Sequence, residues 1–258
     1  MTSTTARKKD GLRLWAVVLW IGLWQGASML LTAAYPHGSL FLASPIRAAL
    51  RLWELLPTAD FWRAVLHSTV RIFGGFLLSC LLGAALAALA AANRRVREFL
   101  APAVLAVKTV PVASFIILAL VWLDAGSLSF FISALMVFPP VYLNVLEGIR
   151  QTDRRLLEMA KVFQVPLRRR LWGIGAPQVF PYFRSAASLA LGLCWKAGAA
   201  AEVIGLPDGS LGERLYNAKI YLRTPDLFAW TAVIVALSVA LEKLFLLAVD
   251  RLAGKAGG

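Results

Sequence analysis

Arg150 to Pro181 reads RQTDRRLLEMAKVFQVPLRRRLWGIGAPQVFP. It is too charged for a bilayer core, while the chain on both sides is apolar enough to lie in one. Leu156, Ala160 and Phe163 recur at helical spacing, and Arg154, Glu158 and Lys161 follow the same rhythm opposite, so the spacing predicts a short amphipathic helix. Asp153 is placed to cap its start. Past Gln164 and Val165, Pro166 suits the first position of a second helix, in which Leu167, Leu171 and Ile174 form another apolar stripe. Two short helices joined by a tight turn result. If that turn needs φ > 0, a non-glycine residue at Gln164 costs about 1 kcal/mol; otherwise Pro166 sets a different turn.

Outward from this segment the chain is of the membrane class. Hydrophobic residues make up 59% of its 258 residues, and mean hydropathy is +0.71. The formal net charge of +13 raises a nucleic-acid reading, but the Lys and Arg cluster beside apolar spans, as orientation in a bilayer requires. Cys80 and Cys194 sit far apart within apolar runs and read as small buried residues. His37 and His67 are isolated, and no cluster has metal-ligand spacing, so no metal is expected.

Six spans are predicted. Residues 1–13 form a basic tail with Arg7, Lys8, Lys9 and Arg13, and 14–34 an uncleaved first span, too long for a signal-peptide core of about 7–15 residues. Within the loop 35–64, Ser44 caps and Pro45 opens a helix with Ile46, Ala49, Leu50 and Trp53 on one face. That helix is either interfacial or packed on the protein's own surface. The second span, about 64–92, repeats Ser79, Gly83, Ala87 and Ala91 as a close-packing face, and its Arg71 reads as snorkelling to the interface. A third span, 101–123, is interrupted at Pro111, and a fourth, 127–146, is broken at Pro139-Pro140. Such kinks flank either a pathway or ordinary packing. The fifth runs about 179–204 and the sixth about 227–249, which gives a five-span core over 64–249 within a single membrane domain. With both termini in the cytoplasm, sixteen Lys and Arg fall in inside segments and six in outside ones, and the 150–177 loop is cytoplasmic.

Glu158-Met159-Ala160, then Gln164, then Ile174 and Pro177 resemble the EAA loop of bacterial ABC importer permeases (Glu-Ala-Ala, three residues, Gly, nine residues, Ile-x-Leu-Pro). The spacing agrees, but Met159, Gln164 and Ala176 depart from its residue types. Downstream, Pro177-x-x-x-Pro181-Tyr182, Leu191-Gly-x-x-Trp-Lys196-Ala and Ala201-Glu202 are similar to the nitrate, sulfonate and taurine group of those permeases. So are LFLASPIRAALRLWELL (40–56) and LHSTVRIFGGFLLS (66–79). The resemblance covers about residues 40–250.

It implies an all-α polytopic protein of the type I ABC importer kind, with about six transmembrane helices and a cytoplasmic helix-turn-helix that couples to an ATPase. Carried over, Arg154, Arg155, Glu158, Met159, Ala160, Gln164, Pro166 and Pro177 would sit at that contact, with Arg168 to Arg170 nearby. It further implies two ATP-binding subunits carrying ATP and Mg, a second copy of this chain, an extracytoplasmic substrate-binding protein, surrounding lipid, and no cofactor on this chain. No Gly-x-x-x-x-Gly-Lys-Ser/Thr occurs, so hydrolysis belongs to another subunit.

Among intramembrane residues Lys108, Pro111, Lys196 and Glu202 are candidates for the translocation path, and Glu242 also calls for explanation. Lys196 either attracts an anion such as a sulfonate or anchors helices through carbonyls. Lys196 and Glu202, six apart, fall on different faces and do not pair. A stand-alone secondary transporter is the rival reading, with an intramembrane enzyme behind it, since no catalytic constellation occurs in the spans.

Overall fold

The computed structural model describes residues 14–256, and every regular element among them is a helix. The basic tail expected over 1–13 lies outside the described residues. In chain order the helices are α1 (Leu14–Ala34), α2 (Gly38–Phe41), α3 (Pro45–Leu55), α4 (Ala59–Ala92), α5 (Arg94–Thr109) and α6 (Val112–Ala119). There follow α7 (Ala125–Arg150), α8 (Arg154–Val162), α9 (Leu167–Arg170), a single π-turn (Leu171–Gly175), α10 (Ala176–Gly205), α11 (Leu211–Ile220) and α12 (Thr224–Ala256). Five are long and apolar enough to cross a membrane, and the bent pair α5–α6 makes a sixth span if counted as one.

The core is the trio α4, α7 and α10. Small residues let their backbones close up: a Cβ on Gly75 would collide with the Phe130 carbonyl, and one on Gly83 would lie 3.1 Å from Val141. Ser79 Oγ donates to the Ala134 carbonyl at 2.6 Å, joining α4 to α7. Of the stripe expected on α4, Ser79, Gly83 and Ala87 are buried in this seam, whereas Ala91 is exposed. Around them Ile72, Phe76, Val137, Val141, Leu191, Cys194 and Trp195 fill the interior. On the far side Glu242 accepts from Ser188 Oγ at 2.6 Å, and Arg184 donates twice to Asp250 at 2.6 and 2.9 Å, fixing α12 to α10.

Of two expected breaks, one is absent and the other is a sharp bend. α7 runs unbroken through Pro139 and Pro140. Each proline removes one N–H, which leaves the Leu135 and Met136 carbonyls without their usual partners, but packing of α7 between α4 and α10 keeps the helix continuous; Asn144 Nδ2 also donates to the Pro140 carbonyl at 2.8 Å. The span expected over 101–123 is interrupted at Pro111 as expected, but as two helices set at 106°, with Pro111 at the N-cap position of the second. Here the chain has no such clamp: most of α5 is exposed.

At the periphery α1 buries only Ser28, as suits a helix surrounded by lipid. Ser28 Oγ and Trp24 Nε1 hold its end by donating to the carbonyls of Leu42 at 2.9 Å and Ala43 at 3.0 Å. Ser44 caps α3, accepting from Arg47 N at 3.2 Å. α3 turns Ile46, Leu50 and Trp53 outward and ties itself to α12 through Arg51 and Asp226. That apolar face is therefore not packed on the protein's own surface, one of the two readings of this helix.

Candidate functional site

The α8–α9 segment is built as its residues dictate. Asp153 caps α8, accepting from Arg155 N at 2.8 Å. At the other end Gln164 N donates to Lys161 O at 3.0 Å and Val165 N to Ala160 O at 2.9 Å. Gln164 itself is left-handed, with φ 50°. This is a Schellman closure with Gln where Gly is usual, so the strained turn is the one adopted. Pro166 then caps α9, whose last residues pass through the π-turn directly into α10. The second short helix is thus the base of a span rather than a free element. A π-turn arises where the i→i−4 ladder slips by one residue, and such turns are frequent at functional sites.

Burial corrects the expected stripe. Only Ala160 of α8 is buried, at 3% exposure, whereas Leu156 and Phe163 are exposed. Met159, Val162 and Phe163 stand 50, 78 and 75% exposed, amid the exposed charges of Arg154, Arg155, Glu158 and Lys161. α8 therefore presents an apolar patch ringed by charge, away from the helices it sits on. Beneath the segment is a cleft of about 630 Å³ lined by Ala88, Ala91, Ile149, Leu157, Leu171 and Trp172, among others. Pro177 is exposed in the first turn of α10, and next to it Gln178 Oε1 accepts Asp153 N at 2.8 Å.

The membrane-depth candidates separate into two places. Lys108, one turn before the Pro111 bend, lines a cavity of about 370 Å³ with Met136, Pro139, Pro140, Asn144 and Leu193. Lys196 is exposed on α10, about one turn beyond Leu193. Neither lysine has a carboxylate within salt-bridge distance among the described residues. Glu202 is not part of that region. It is fully buried and hydrogen-bonded to Ser68 Oγ at 2.7 Å, and Lys196 and Glu202 do not pair. Arg71, expected to snorkel, is half-buried, with Nη1 enclosed and unpartnered. Sequence reasoning missed Asn144, Gln178 and Ser68. Asn144 and Gln178 are amides in largely apolar runs, which is a legible signal, while nothing local marks Ser68.

The description "binding-protein-dependent transport system inner membrane component" belongs to the family model that matches residues 80–255. The putative aliphatic sulfonates transport permease protein SsuC of Bacillus subtilis is 29% identical over 85% of this chain and 77% of its own length. The riboflavin transport system permease protein RibX of Chloroflexus aurantiacus is 27% identical over 87% and 82%. The taurine transport system permease protein TauC of Escherichia coli is 26% identical over 71% and 67%. With a helical core of membrane length and a family match over most of its residues, this chain belongs to the inner-membrane permease components of binding-protein-dependent ABC transport systems.

Proposed function

We propose that this chain is the membrane-spanning subunit of an ATP-driven importer that moves a small solute, a nitrate-, sulfonate- or taurine-like anion, into the cytoplasm by alternating access. The observation that carries the reading is the patch on α8: Met159, Val162 and Phe163 are exposed amid Arg154, Arg155, Glu158 and Lys161. An apolar surface of this kind on a segment too charged to enter lipid suits a soluble protein partner. In this reading the partner is an ATP-binding subunit, present twice, which holds ATP and Mg. A second copy of this chain completes the pathway, and an extracytoplasmic binding protein supplies solute. Both termini and the α8–α9 segment face the cytoplasm, in keeping with the Lys and Arg distribution. Lys108 and Lys196, at membrane depth without acidic partners among the described residues, support an anionic solute.

The test is a pull-down of the tagged chain from detergent-solubilised membranes of its host, with Glu158→Arg and Gln164→Pro beside wild type, followed by taurine and alkanesulfonate uptake into proteoliposomes. An ATPase subunit captured by wild type and lost from the folded variants, with ATP-dependent uptake, is the expected result. Uptake driven by an ion gradient with no ATPase captured overturns it.

A further inference from the structure

Glu202 has no role in the docking or pathway readings above, yet it is the most deeply buried carboxylate described. Its Oε2 accepts from Ser68 Oγ of α4 at 2.7 Å and from Gly212 N at 3.2 Å. Ser68 Oγ accepts in turn from Leu211 N at 2.9 Å, and Ser210 Oγ caps Glu213 N at 3.0 Å. The first-turn N–H groups of α11 are therefore satisfied by side chains from α4 and α10 as well as by its own cap. A carboxylate there also opposes the positive end of the helix. Gly212 is required at this contact, because a Cβ would collide with Glu202.

The other half of the group is unfinished. Glu202 Oε1 has no partner, nor have Ser129 Oγ of α7 and Arg71 Nη1 of α4, all three buried atoms. Arg71 stands one turn after Ser68 on α4, on the side of that helix from which Ser68 donates to the Glu202 carboxylate. Toward the α6–α7 turn, Nη2 lies 3.5 Å from where a Cβ on Gly126 would stand, and Asp124 Oδ2 lies 2.7 Å from the same point. Arg71 thus has Asp124 as well as Glu202 in its neighbourhood, and among the described residues it closes on neither within 4 Å. Other titratable side chains at this end are His67, near Gly209, Asp208 beside that glycine, Glu213, which accepts Gly209 N at 2.6 Å, and Arg214. Leaving a buried donor and a buried acceptor unpaired is costly. Closure of Arg71 on either carboxylate would satisfy the guanidinium.

We infer that Arg71 exchanges carboxylate partners in the transport cycle, closing on Asp124 at the α6–α7 turn in one state and on Glu202 at the foot of α11 in the other. This rests on the permease reading, which supplies the cycle. Arg71, Asp124 and Glu202 are positioning residues: they set where α11 and the α6–α7 turn stand relative to α4. With Arg71 on Asp124, Glu202 keeps its hold on Ser68 and on the Gly212 amide. With Arg71 on Glu202, that hold weakens and α11 is released.

The experiment measures the distance between spin labels at the exposed positions Trp122 and Tyr221 in the full chain, assembled with its ATPase subunit in lipid nanodiscs. Variants are chosen to keep the fold. Asp124→Asn still caps α7, since Asn and Asp cap equally well. Glu202→Gln can still accept from Ser68 and Gly212. The expected result is that the two variants, in the ATP-free complex, displace the distance distribution in opposite directions, each trapping one partner. Each also lowers the ATP-driven distance change about tenfold, and Arg71→Lys restores part of what Arg71→Gln loses. Displacements in the same direction, or none, overturn the inference. If wild type shows no ATP-driven change at all, the permease reading is at fault, and the two ATP-free displacements still decide whether the partners exchange.

Discussion

The side-chain oxygen of Gln178 accepts the backbone N–H of Asp153 at 2.8 Å, joining the residue that caps α8 to the first turn of α10. Asp153 spends its carboxylate on Arg155 N, so its own N–H depends on Gln178. This contact is the direct polar tie between the start of the α8–α9 segment and the span that follows it. Under the proposed coupling, a push on α8 would be delivered to the base of α10 by this hydrogen bond as well as along the chain. Gln178→Ala removes about 1 kcal/mol of tethering and is expected to leave abundance unchanged while ATP turnover outlasts uptake. Gln178→Glu keeps the acceptor and is expected to restore coupling. Measuring both rates in proteoliposomes checks it, and equal coupling in wild type and Gln178→Ala would count against the tie.

The turn after α8 offers a separate test of strain. Gln164 holds φ 50° without a glycine's freedom, at a cost of about 1 kcal/mol. Gln164→Gly is expected to raise the stability of the detergent-solubilised protein by less than about 1 kcal/mol, because glycine also gains entropy in the unfolded chain. Gln164→Val, branched at Cβ, is expected to lower it. Thermal unfolding of the three proteins side by side gives the order Gly, Gln, Val; Val at or above Gln would show that the turn relaxes.

Caps and periods make α8 legible in the sequence itself: Asp153, the apolar spacing and the Gln164–Pro166 turn lie within fifteen residues of one another. The direction in which its stripe points is not legible. Periodicity groups Leu156 with Phe163 but does not say whether that face meets the protein or solvent, and both prove exposed. Pro139-Pro140 misleads for a related reason, since proline chemistry is local whereas the clamp between α4 and α10 is not. The interruption at Pro111 is legible as proline chemistry, but hydropathy carries no direction, so the 106° angle between the two halves is not. The group around Glu202 is the least legible. Its partner Ser68 is 134 positions away and is one serine among several in apolar stretches.

Glycines in the seam between α4 and α7 are expected to be intolerant, and those of α1 permissive. A Cβ on Gly75 would meet the Phe130 carbonyl and lie 3.1 Å from Ala134 N, both backbone atoms that cannot swing away. Gly75→Ala is expected to cost about 1–3 kcal/mol through forced separation of the helices. A Cβ on Gly22 meets nothing within 4 Å, so Gly22→Ala should stabilise slightly through helix propensity, by up to about 1 kcal/mol. Unfolding in a mild detergent with both variants distinguishes the cases, and comparable losses at the two positions would refute the seam.

Asp124 gives a pH dependence whose sign can be worked out. Ser127 Oγ donates to its Oδ1 at 2.9 Å and Ser127 N to its Oδ2 at 3.1 Å. The hydroxyl bond above all holds the carboxyl below the usual carboxylate range, against a smaller opposing effect of burial. A native pKa below the unfolded one means that the unfolded chain takes up the proton first as pH falls. The cap's contribution is therefore complete above the ordinary carboxylate value of about 3.9 and is lost as pH drops from there through the depressed native value. Unfolding midpoints of wild type and Asp124→Asn, measured from neutral pH downward, should differ by a constant amount until about pH 5 and then converge. Ser127→Ala removes the larger cause, so its own loss of stability against wild type should likewise be constant near neutral pH and shrink through the same acid range. Differences that grow toward acid pH would mean that Asp124 is destabilised by its surroundings, contrary to the hydrogen bonds it accepts.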